Sequence, residues 1–297
     1  MAKAKAARDW GKHTENLYQV VITTVIGLIA LAAVIPLLYV IAVSLVTDAE
    51  YYAKSGLLLF PENPTLSAYI NIIKNNTVII HSLWINIART ICGTALGLAN
   101  TIVLGYILSR QDLPGVKGIT VALLIAMLFS GGLIPTFMTI SEVGLYNTFW
   151  VLFVFNFISV WNTLIFKQFF MGLPKEMEES ARLDGAGEFT IMTRIVVPMS
   201  MPVVAAIGLF TAVGTWNDWF GPLVYVLDNE LKPLPLITHE MFNSSLDFVD
   251  VANPSTSVTS ITTKMAVTVI GAVPILMVYP FLQKYFVKGV YTGAVKG

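Results

Sequence analysis

Residues 172–202 read GLPKEMEESARLDGAGEFTIMTRIVVPMSMP, and this polar stretch interrupts an otherwise apolar chain. The pattern predicts two short helices joined by a glycine corner. Pro174 suits the first position of a helix, where no backbone N–H is needed, and the glutamates that follow it favour a helix N-terminus. Gly185, directly after Asp184, predicts the end of the first helix, and the second helix must end near Pro198.

Small side chains dominate this corner, so another surface can approach its backbone closely. They are Ser180, Ala181, Gly185, Ala186 and Gly187. The alternative is a solvated loop without a partner. Composition alone does not separate the two interpretations.

The composition indicates an integral membrane protein. Hydrophobic residues make up 56% of the chain and charged residues only 12%, with a mean hydropathy of +0.73, which excludes an ordinary soluble domain. The net charge of zero gives no reason to expect nucleic acid as a partner. Cys92 is the single cysteine, so no internal disulfide forms. The three histidines are scattered, and we expect no metal site and no cofactor on this chain.

Six segments lack Asp, Glu, Lys and Arg, and each has about the 20 residues that a helix needs to cross a bilayer. They predict an all-α protein with six transmembrane helices, at residues 16–47, 90–109, 118–141, 143–166, 195–217 and 265–283. Basic residues precede the first segment, as in a signal peptide. Its apolar run is too long for one, so we interpret it as an uncleaved span.

The distribution of Lys and Arg predicts the orientation. With the N-terminus inside, thirteen basic residues fall on the inner side and three in outer loops, while Arg89 and Lys264 lie near outer helix ends. Since inner loops are enriched in Lys and Arg, both termini and the 172–202 stretch are expected on the cytoplasmic side.

Several polar residues near or within the spans are candidates for a substrate path. Arg89 must face water, a cavity or a counter-charge, and Asp218 is the acidic residue near the same membrane face. Ser130 begins a Ser-Gly-Gly sequence in the third span. The remaining candidates are Asn156, near the middle of the fourth span, and Trp216 and Asn217 at the end of the fifth. Trp216 and Trp219 fit either an interfacial aromatic belt or the rim of a carbohydrate path, and both interpretations stay open. The small and polar stripe of the second span, from Asn86 to Gly105, is better explained by close helix packing.

The spacing Glu179-Ser180-Ala181, three residues, Gly185, nine residues, Ile195-x-Val197-Pro198 resembles the EAA loop of binding-protein-dependent ABC importer permeases. That family pattern is E-A-A-x3-G-x9-I-x-L-P, and this chain departs from it at Ser180 and Val197. The resemblance implies the type I ABC importer permease fold and a coupling helix that docks into a cleft of a separate ATPase subunit.

The resemblance also assigns expected roles at the corner. Glu179 would make a charge-assisted contact with the ATPase, Ser180 and Ala181 complete the motif, and Asp184 and Gly185 would shape the corner. Three apolar side chains would fill the cleft: Met177, Phe189 and Met192.

The end of the chain, GVYTGAVKG, resembles the tail of the second permease subunit of the carbohydrate-uptake class. That resemblance places Gly293, Lys296 and Gly297 near the ATPase dimer interface. Residues 1–16 would then be a cytoplasmic segment, 17–290 the ABC transporter transmembrane domain with its coupling loop at 172–202, and 291–297 a cytoplasmic tail.

Two further stretches, FSGGLIPTFMTISEVGLYNTFW and GTWNDWFGPL, resemble permeases for oligosaccharides, including plant-polysaccharide fragments rich in uronic acids. The implied partners are a second permease of similar fold, two copies of an ATPase that bind ATP and Mg²⁺, and an extracellular sugar-binding protein. The implied location is the bacterial inner membrane.

Two other classes of function compete with this interpretation. A self-sufficient secondary transporter or channel needs no ATPase, but ion-coupled carriers usually hold ionisable groups at mid-membrane, and the six segments have none. An intramembrane enzyme would need paired carboxylates, a metal-ligand cluster or an activated nucleophile, and the sequence offers no candidate for any of them. The chain also lacks a GxxxxGK[ST] phosphate loop, so ATP-driven transport would require another polypeptide.

The predicted orientation can be tested by labelling. In a Cys92→Ala background, a cysteine introduced at Asn229 should react with an impermeant thiol reagent added outside the cell, and one at Lys175 should not. The reason is the excess of basic residues on the Lys175 side. Protection at Asn229 together with labelling at Lys175 would reverse the orientation.

Overall fold

The computed structural model describes the backbone of residues 2–56, 58–243 and 260–294, and the side chains of 18–56, 58–243 and 260–278. Within those ranges all regular structure is helical, as expected for an all-α protein. Fourteen α-helices are described: α1 Ala2–Ser44, α2 Asp48–Ala53, α3 Ser67–Asn75, α4 Thr77–Ser109, α5 Val116–Leu128, α6 Leu133–Glu142, α7 Val160–Met171, α8 Lys175–Leu183, α9 Glu188–Ile191, α10 Val197–Met199, α11 Met201–Asn217, α12 Phe220–Tyr225, α13 Leu234–Asn243 and α14 Ile261–Ala294.

The chain divides into two compact units. One comprises Met1–Ile72 and Val249–Val269, and the other comprises Ile73–Phe248 and Ile270–Gly297. Every candidate site residue that the structure describes belongs to the second unit.

In the first unit, the apolar part of α1 makes few contacts within the chain. Side chains along Tyr18–Ser44 are largely exposed, Leu28 at 61% and Ile29 at 64%. The helix satisfies its own backbone hydrogen bonds, so such a surface is stable against lipid or another apolar helix. Near the end of α1, the Tyr39 hydroxyl donates to the carbonyl of Gly56 at 2.9 Å and fixes the loop that follows.

Three described helices are long and apolar enough to span a membrane unbroken: Tyr18–Ser44 within α1, α4, and Ile261–Val278 within α14. Two further spans are bent pairs. The α5–α6 pair bends by 116°, and the helical stretch Glu188–Met199 bends by 83° from α11. Three of the six spans predicted from hydropathy therefore contain an unbroken helix, and two more, 118–141 and 195–217, correspond to the bent pairs.

The bend in the third segment follows from its glycines. Gly132 adopts φ = +85°, a conformation that side chains with a Cβ rarely adopt, and α6 begins directly after it. The Ser130 hydroxyl accepts a hydrogen bond from the N–H of Gly132 at 3.2 Å, which satisfies one backbone group exposed by the break. Ser130 thus has a local structural role at this bend.

The prediction of one helix over 143–166 is wrong. Two short 3₁₀ turns, Phe149–Leu152 and Val154–Asn156, precede α7, which begins only at Val160 with the Ser159 hydroxyl capping the N–H of Asn162 at 3.3 Å. Hydropathy alone cannot reveal this interruption, because the residues remain apolar whether the backbone is helical or not.

Glycines of α4 make room for that irregular backbone. The carbonyl oxygen of Asn156 lies where a Cβ on Gly97 would be, and a Cβ on Gly93 would come within 2.9 Å of the Phe153 Cβ. Further along α4, a Cβ on Gly105 would come within 2.7 Å of the Phe166 Cβ in α7. Close packing of the small-residue stripe, predicted from its spacing, is confirmed.

An apolar cluster joins α4, α7 and the helices that follow the glycine corner. Its buried members are Tyr106, Phe166, Phe170, Ile191, Met192, Val196, Val204 and Ile207. Because it includes residues on both sides of the 83° bend, this cluster fixes where the corner lies relative to the C-terminal end of α4.

Candidate functional site

The glycine corner has the predicted two-helix form. Helix α8 starts directly after Pro174 and ends at Leu183. The N–H of Gly185 donates to the carbonyl of Arg182 at 3.0 Å and the N–H of Ala186 to that of Ala181 at 2.9 Å, the paired bonds of a Schellman helix end. Gly185 has φ = +82°, so the turn itself requires glycine.

Three large apolar side chains are exposed at the corner, among the polar side chains of α8. Leu183 is 90% exposed, Phe189 74% and Met177 52%. The carboxylate of Glu179 lies on the same exposed segment and has no hydrogen-bond or ion-pair partner in the described part of the chain. An apolar surface beside an unpaired charge is typical of a surface that another protein covers.

The structure corrects two expectations about the apolar side chains of the corner. Met192 is only 6% exposed and packs in the apolar cluster with Tyr106 and Phe166, so it cannot reach into a partner's cleft as expected. Leu183 was not among the candidates, although its position before the Asp-Gly helix end makes it the most exposed apolar side chain there. Ser180, Ala181 and Asp184 lie along α8 and its end, with Ala181 partly buried and the other two exposed.

A set of charged side chains ties the corner to the end of α4, and sequence reasoning missed it. Arg110, which follows α4, forms an ion pair with the buried Glu178 of α8. The Tyr106 hydroxyl donates to Glu188 Oε2 at 2.6 Å, and Arg182 Nη2 lies 2.8 Å from Glu188 Oε1. We call these five residues the corner network. Only the Glu178–Arg182 spacing of four is visible in the sequence; the contacts of Tyr106 and Arg110 with the corner are not.

Within the network, Arg110 also lies over the ring of Tyr106, with its guanidinium carbon 4.3 Å from the ring centroid. A cation at this distance is attracted to the face of the ring. Two contacts therefore join the end of α4 to the corner, the Arg110–Glu178 ion pair and the Tyr106–Glu188 hydrogen bond, while the cation–π contact holds Arg110 and Tyr106 together at the end of α4.

Arg110 lies just beyond the last residue of α4, and its contacts affect its titration. Burial lowers the pKa of the Arg110 guanidinium, but interactions with Glu178 and Tyr106 outweigh it, and the net pKa is raised. Arg110 is therefore charged at neutral pH.

A second polar contact joins α4 to the end of α11. Arg89 is fully buried, its Nε donates to Asn86 Oδ1 at 2.9 Å, and its Nη2 donates to the carbonyl of Asp218 at 2.6 Å. Asn86 Nδ2 in turn donates to the carbonyl of Trp216 at 3.4 Å. The Asp218 carboxylate is more distant, with Oδ2 3.9 Å from Arg89 Nη1, and its Oδ1 accepts from the N–H of Gly221 at 3.1 Å. We call this arrangement the Arg89 clamp.

A polar cavity of about 380 Å³ lies between α4, the turns before α7, and α11. None of its lining residues is charged, and its polar side chains are Thr101, Asn156, Ser159, Asn162, Thr211 and Thr215. Asn156 Nδ2 donates to Thr215 Oγ1 at 2.7 Å, while the Asn162 side-chain amide makes no hydrogen bond within the described ranges. Hydrocarbon cannot satisfy such groups, so the cavity is suited to water or a hydroxyl-rich ligand.

The other path candidates lie outside this cavity. Trp216 is buried, and its Nε1 donates to the carbonyl of Gly271 at 2.9 Å; it borders a separate apolar cavity of about 470 Å³. Asn217 bonds back to the carbonyl of Val213 at 3.0 Å. Trp219 stacks on His239, with ring centroids 3.8 Å apart. Of the two tryptophans, only Trp219 is exposed enough to form part of a rim or belt.

The candidates in the tail are described only in part. Gly293 falls in the last turn of α14, and Lys296 and Gly297 lie outside the described residues. Their expected place near an ATPase dimer interface remains a prediction.

Comparison with known proteins decides the family. Residues 4–291 match the model described as "Binding-protein-dependent transport system inner membrane component". The chain belongs to this family. Its members are components of multi-subunit transporters, so the interpretation as a self-sufficient carrier or channel is dropped.

Relatives and a solved structure match nearly the whole chain. Protein LplC of Bacillus subtilis (strain 168) is 38% identical over 276 residues, 92% of each chain. The polygalacturonan/rhamnogalacturonan transport system permease protein YtcP of the same organism is 35% identical over 95% of this chain and 99% of its own. In the crystal structure of a bacterial ABC transporter involved in the import of the acidic polysaccharide alginate, one chain matches with a TM-score of 0.79 and 25% identity, over 92% of this chain and 98% of that one.

The geometry of the Arg89 clamp predicts that substitutions at Arg89 and at Asp218 lower the stability by different amounts. Arg89→Gln should destabilise the purified protein by about 1–3 kcal/mol, because buried acceptors lose their donor. Asp218→Asn should cost less than about 1 kcal/mol, since the Asp218 side chain is 43% exposed and Arg89 binds its backbone carbonyl. The asparagine also keeps an acceptor for the N–H of Gly221. Thermal unfolding in detergent measures both, and equal losses for the two variants would contradict the geometry.

Proposed function

We propose that this chain is one of two permease subunits of an ATP-driven ABC importer for oligosaccharides in the bacterial inner membrane. The observation that carries this is the glycine corner in a chain of the binding-protein-dependent family. Three apolar side chains are exposed there beside the Glu179 carboxylate, which has no partner among the described residues. ATP and Mg²⁺ would be bound by a pair of ATPase subunits, and this subunit would carry out no covalent chemistry.

The corner supports ATPase docking through three of its properties. Leu183 and Phe189 offer apolar side chains that a cleft can cover. Glu179 offers a charge for a basic residue of the partner, and such charge-assisted bonds are stronger than neutral ones. The tight turn at Gly185 leaves open space where a Cβ would be, so a partner surface can lie against the backbone.

For the membrane topology, we keep six crossings with both termini in the cytoplasm. The fourth crossing would be made by the 3₁₀ turns and α7 together, packed on the glycines of α4. Non-helical backbone at membrane depth is tolerated when protein or a water-filled cavity surrounds it, and here α4 and the polar cavity supply those surroundings.

For the substrate, we favour oligosaccharides, including acidic ones. The support is the polygalacturonan/rhamnogalacturonan permease and the alginate importer among similar proteins. The polar cavity of this chain presents amides and hydroxyls, which can both donate to and accept from sugar hydroxyls. Its lining has no cation, so a sugar carboxylate would be neutralised elsewhere, by water or by the second permease. An extracellular sugar-binding protein would deliver the ligand.

Docking is tested with Glu179→Ala and Gly185→Val. The first removes a charge-assisted hydrogen bond, typically about 1.5–3 kcal/mol. The second strains a backbone with positive φ by roughly 1 kcal/mol or more and places bulk at the contact. Both variants should insert and pair with the second permease, yet lose the ATPase on co-purification and lose uptake of an oligogalacturonide into vesicles.

Glu142→Ala, an exposed glutamate at the end of α6, is the matched control and should retain the ATPase and the uptake. If the two corner variants recover as much ATPase and transport as wild type, the corner is a solvated loop and the docking proposal is wrong.

A further inference from the structure

Helix α4 is held at two points far apart along its length. It runs unbroken from Thr77 to Ser109. The Arg89 clamp lies towards one end and the corner network at the other, roughly 30 Å apart at about 1.5 Å per residue. A single helix therefore connects the corner with the end of α11.

The contacts at the network end cross between separate elements rather than staying within one. Arg110 follows α4, whereas Glu178 is on α8 and is only 6% exposed. Tyr106 is on α4 and its hydroxyl bonds to Glu188 at the start of α9. The side chains at the end of α4 thus bind both arms of the corner.

The clamp end is also an attachment between elements. The backbone carbonyls of Trp216 and Asp218, where α11 ends, accept hydrogen bonds from Asn86 and Arg89 of α4. These bonds are to backbone, so a shift of α4 acts on the position of the α11 end itself.

Between the two points, α4 is packed too tightly to slide independently. Asn156 and Phe166 contact its glycines at positions 97 and 105 so closely that no Cβ would fit. Packed interfaces of this kind shift as rigid bodies rather than deform continuously.

We infer that Tyr106 and Arg110 are positioning residues that make the corner and α4 move as one body. A displacement of the corner by the ATPase then reaches the Arg89 clamp at the end of α11, where Gly214 and Thr215 line the polar cavity. This rests on the proposed docking of an ATPase at the corner, and it adds the route of transmission through α4. A buried ion pair is weak evidence for stability by itself, because desolvation offsets its attraction. Its effect here is to fix geometry.

The test replaces the ion pair with two cysteines that a cross-linker can join after assembly. Binding of the ATPase and transmission of its movement are then measured separately. Arg110→Cys and Glu178→Cys are combined in a Cys92→Ala background and assembled with the second permease and the ATPase. Removing both charges together leaves no unpaired buried charge. Without a cross-linker, the ATPase should still co-purify, and the stimulation of hydrolysis by the sugar-loaded binding protein should fall by about tenfold, within the usual range of coupling between sites.

A short bifunctional thiol reagent that spans the two cysteines should restore the stimulation in the same sample. A purely structural role for the pair would not be recovered by a tie added after folding. The Cys92→Ala protein treated with the same reagent is the control for modification of other subunits. The matched control combines Lys232→Cys with Glu240→Cys. It replaces a partly buried ion pair, with Lys232 Nζ 2.8 Å from Glu240 Oε1, that is not part of the corner. The stimulation of hydrolysis in this control should not depend on the reagent.

Several outcomes would overturn the inference. Wild-type stimulation without the reagent would mean that the ion pair is not needed for transmission. No recovery with the reagent would mean that the loss of stimulation was not caused by the missing link between α4 and α8. If the double cysteine variant does not assemble, Tyr106→Phe decides, because it removes the hydroxyl that binds Glu188 and keeps the ring beneath Arg110. It should lower stimulation while retaining the ATPase, and unchanged stimulation would refute the route. Loss of the ATPase in the Glu179 and Gly185 variants tests docking separately.

Discussion

The ion pair between Arg110 and Glu178 is the interaction on which the arrangement of the corner depends. Helix α8 is short, polar and exposed on most of its surface, so little hydrophobic burial fixes its position. Glu178 is its one buried residue, and the charge that pairs with it comes from the end of α4. Removing one partner of such a buried pair typically costs about 3–5 kcal/mol, enough to dominate the position of a nine-residue helix.

Around this pair, the constraint of the membrane explains most of the remaining architecture. A backbone in hydrocarbon must satisfy its own polar groups. The breaks in the described spans are accordingly accompanied by local bonds: a serine hydroxyl at Gly132, and the cap at Ser159 before α7. The glycine face of α4 then accepts the irregular segment that these breaks create, and the polar cavity forms beside it.

Features that depend on local spacing could be predicted from the sequence. Hydropathy and composition indicated a helical membrane protein, and Pro174, Asp184 and Gly185 predicted the corner because capping acts within a few residues. The features that were missed depend on contacts between distant segments. Arg110 and Glu178 are far apart in sequence, and Met192 is buried only because the π-helical turn Met192–Val196 places it against Tyr106 and Phe166. The interruption of 143–166 is likewise set by packing on α4, which an apolar sequence does not reveal.

The claim that the corner and α4 form one moving body is tested most directly by a distance measurement in the assembled transporter. Spin labels on cysteines at Asp112, just beyond α4, and at Lys175, at the start of α8, report on this separation in a Cys92→Ala background. If the corner and α4 move as one body, the distance distribution between these labels stays the same with and without ATP, while labels on this subunit and on the second permease move relative to each other. A distribution between Asp112 and Lys175 that shifts with ATP would show that the corner moves independently of α4 and would contradict their movement as one body.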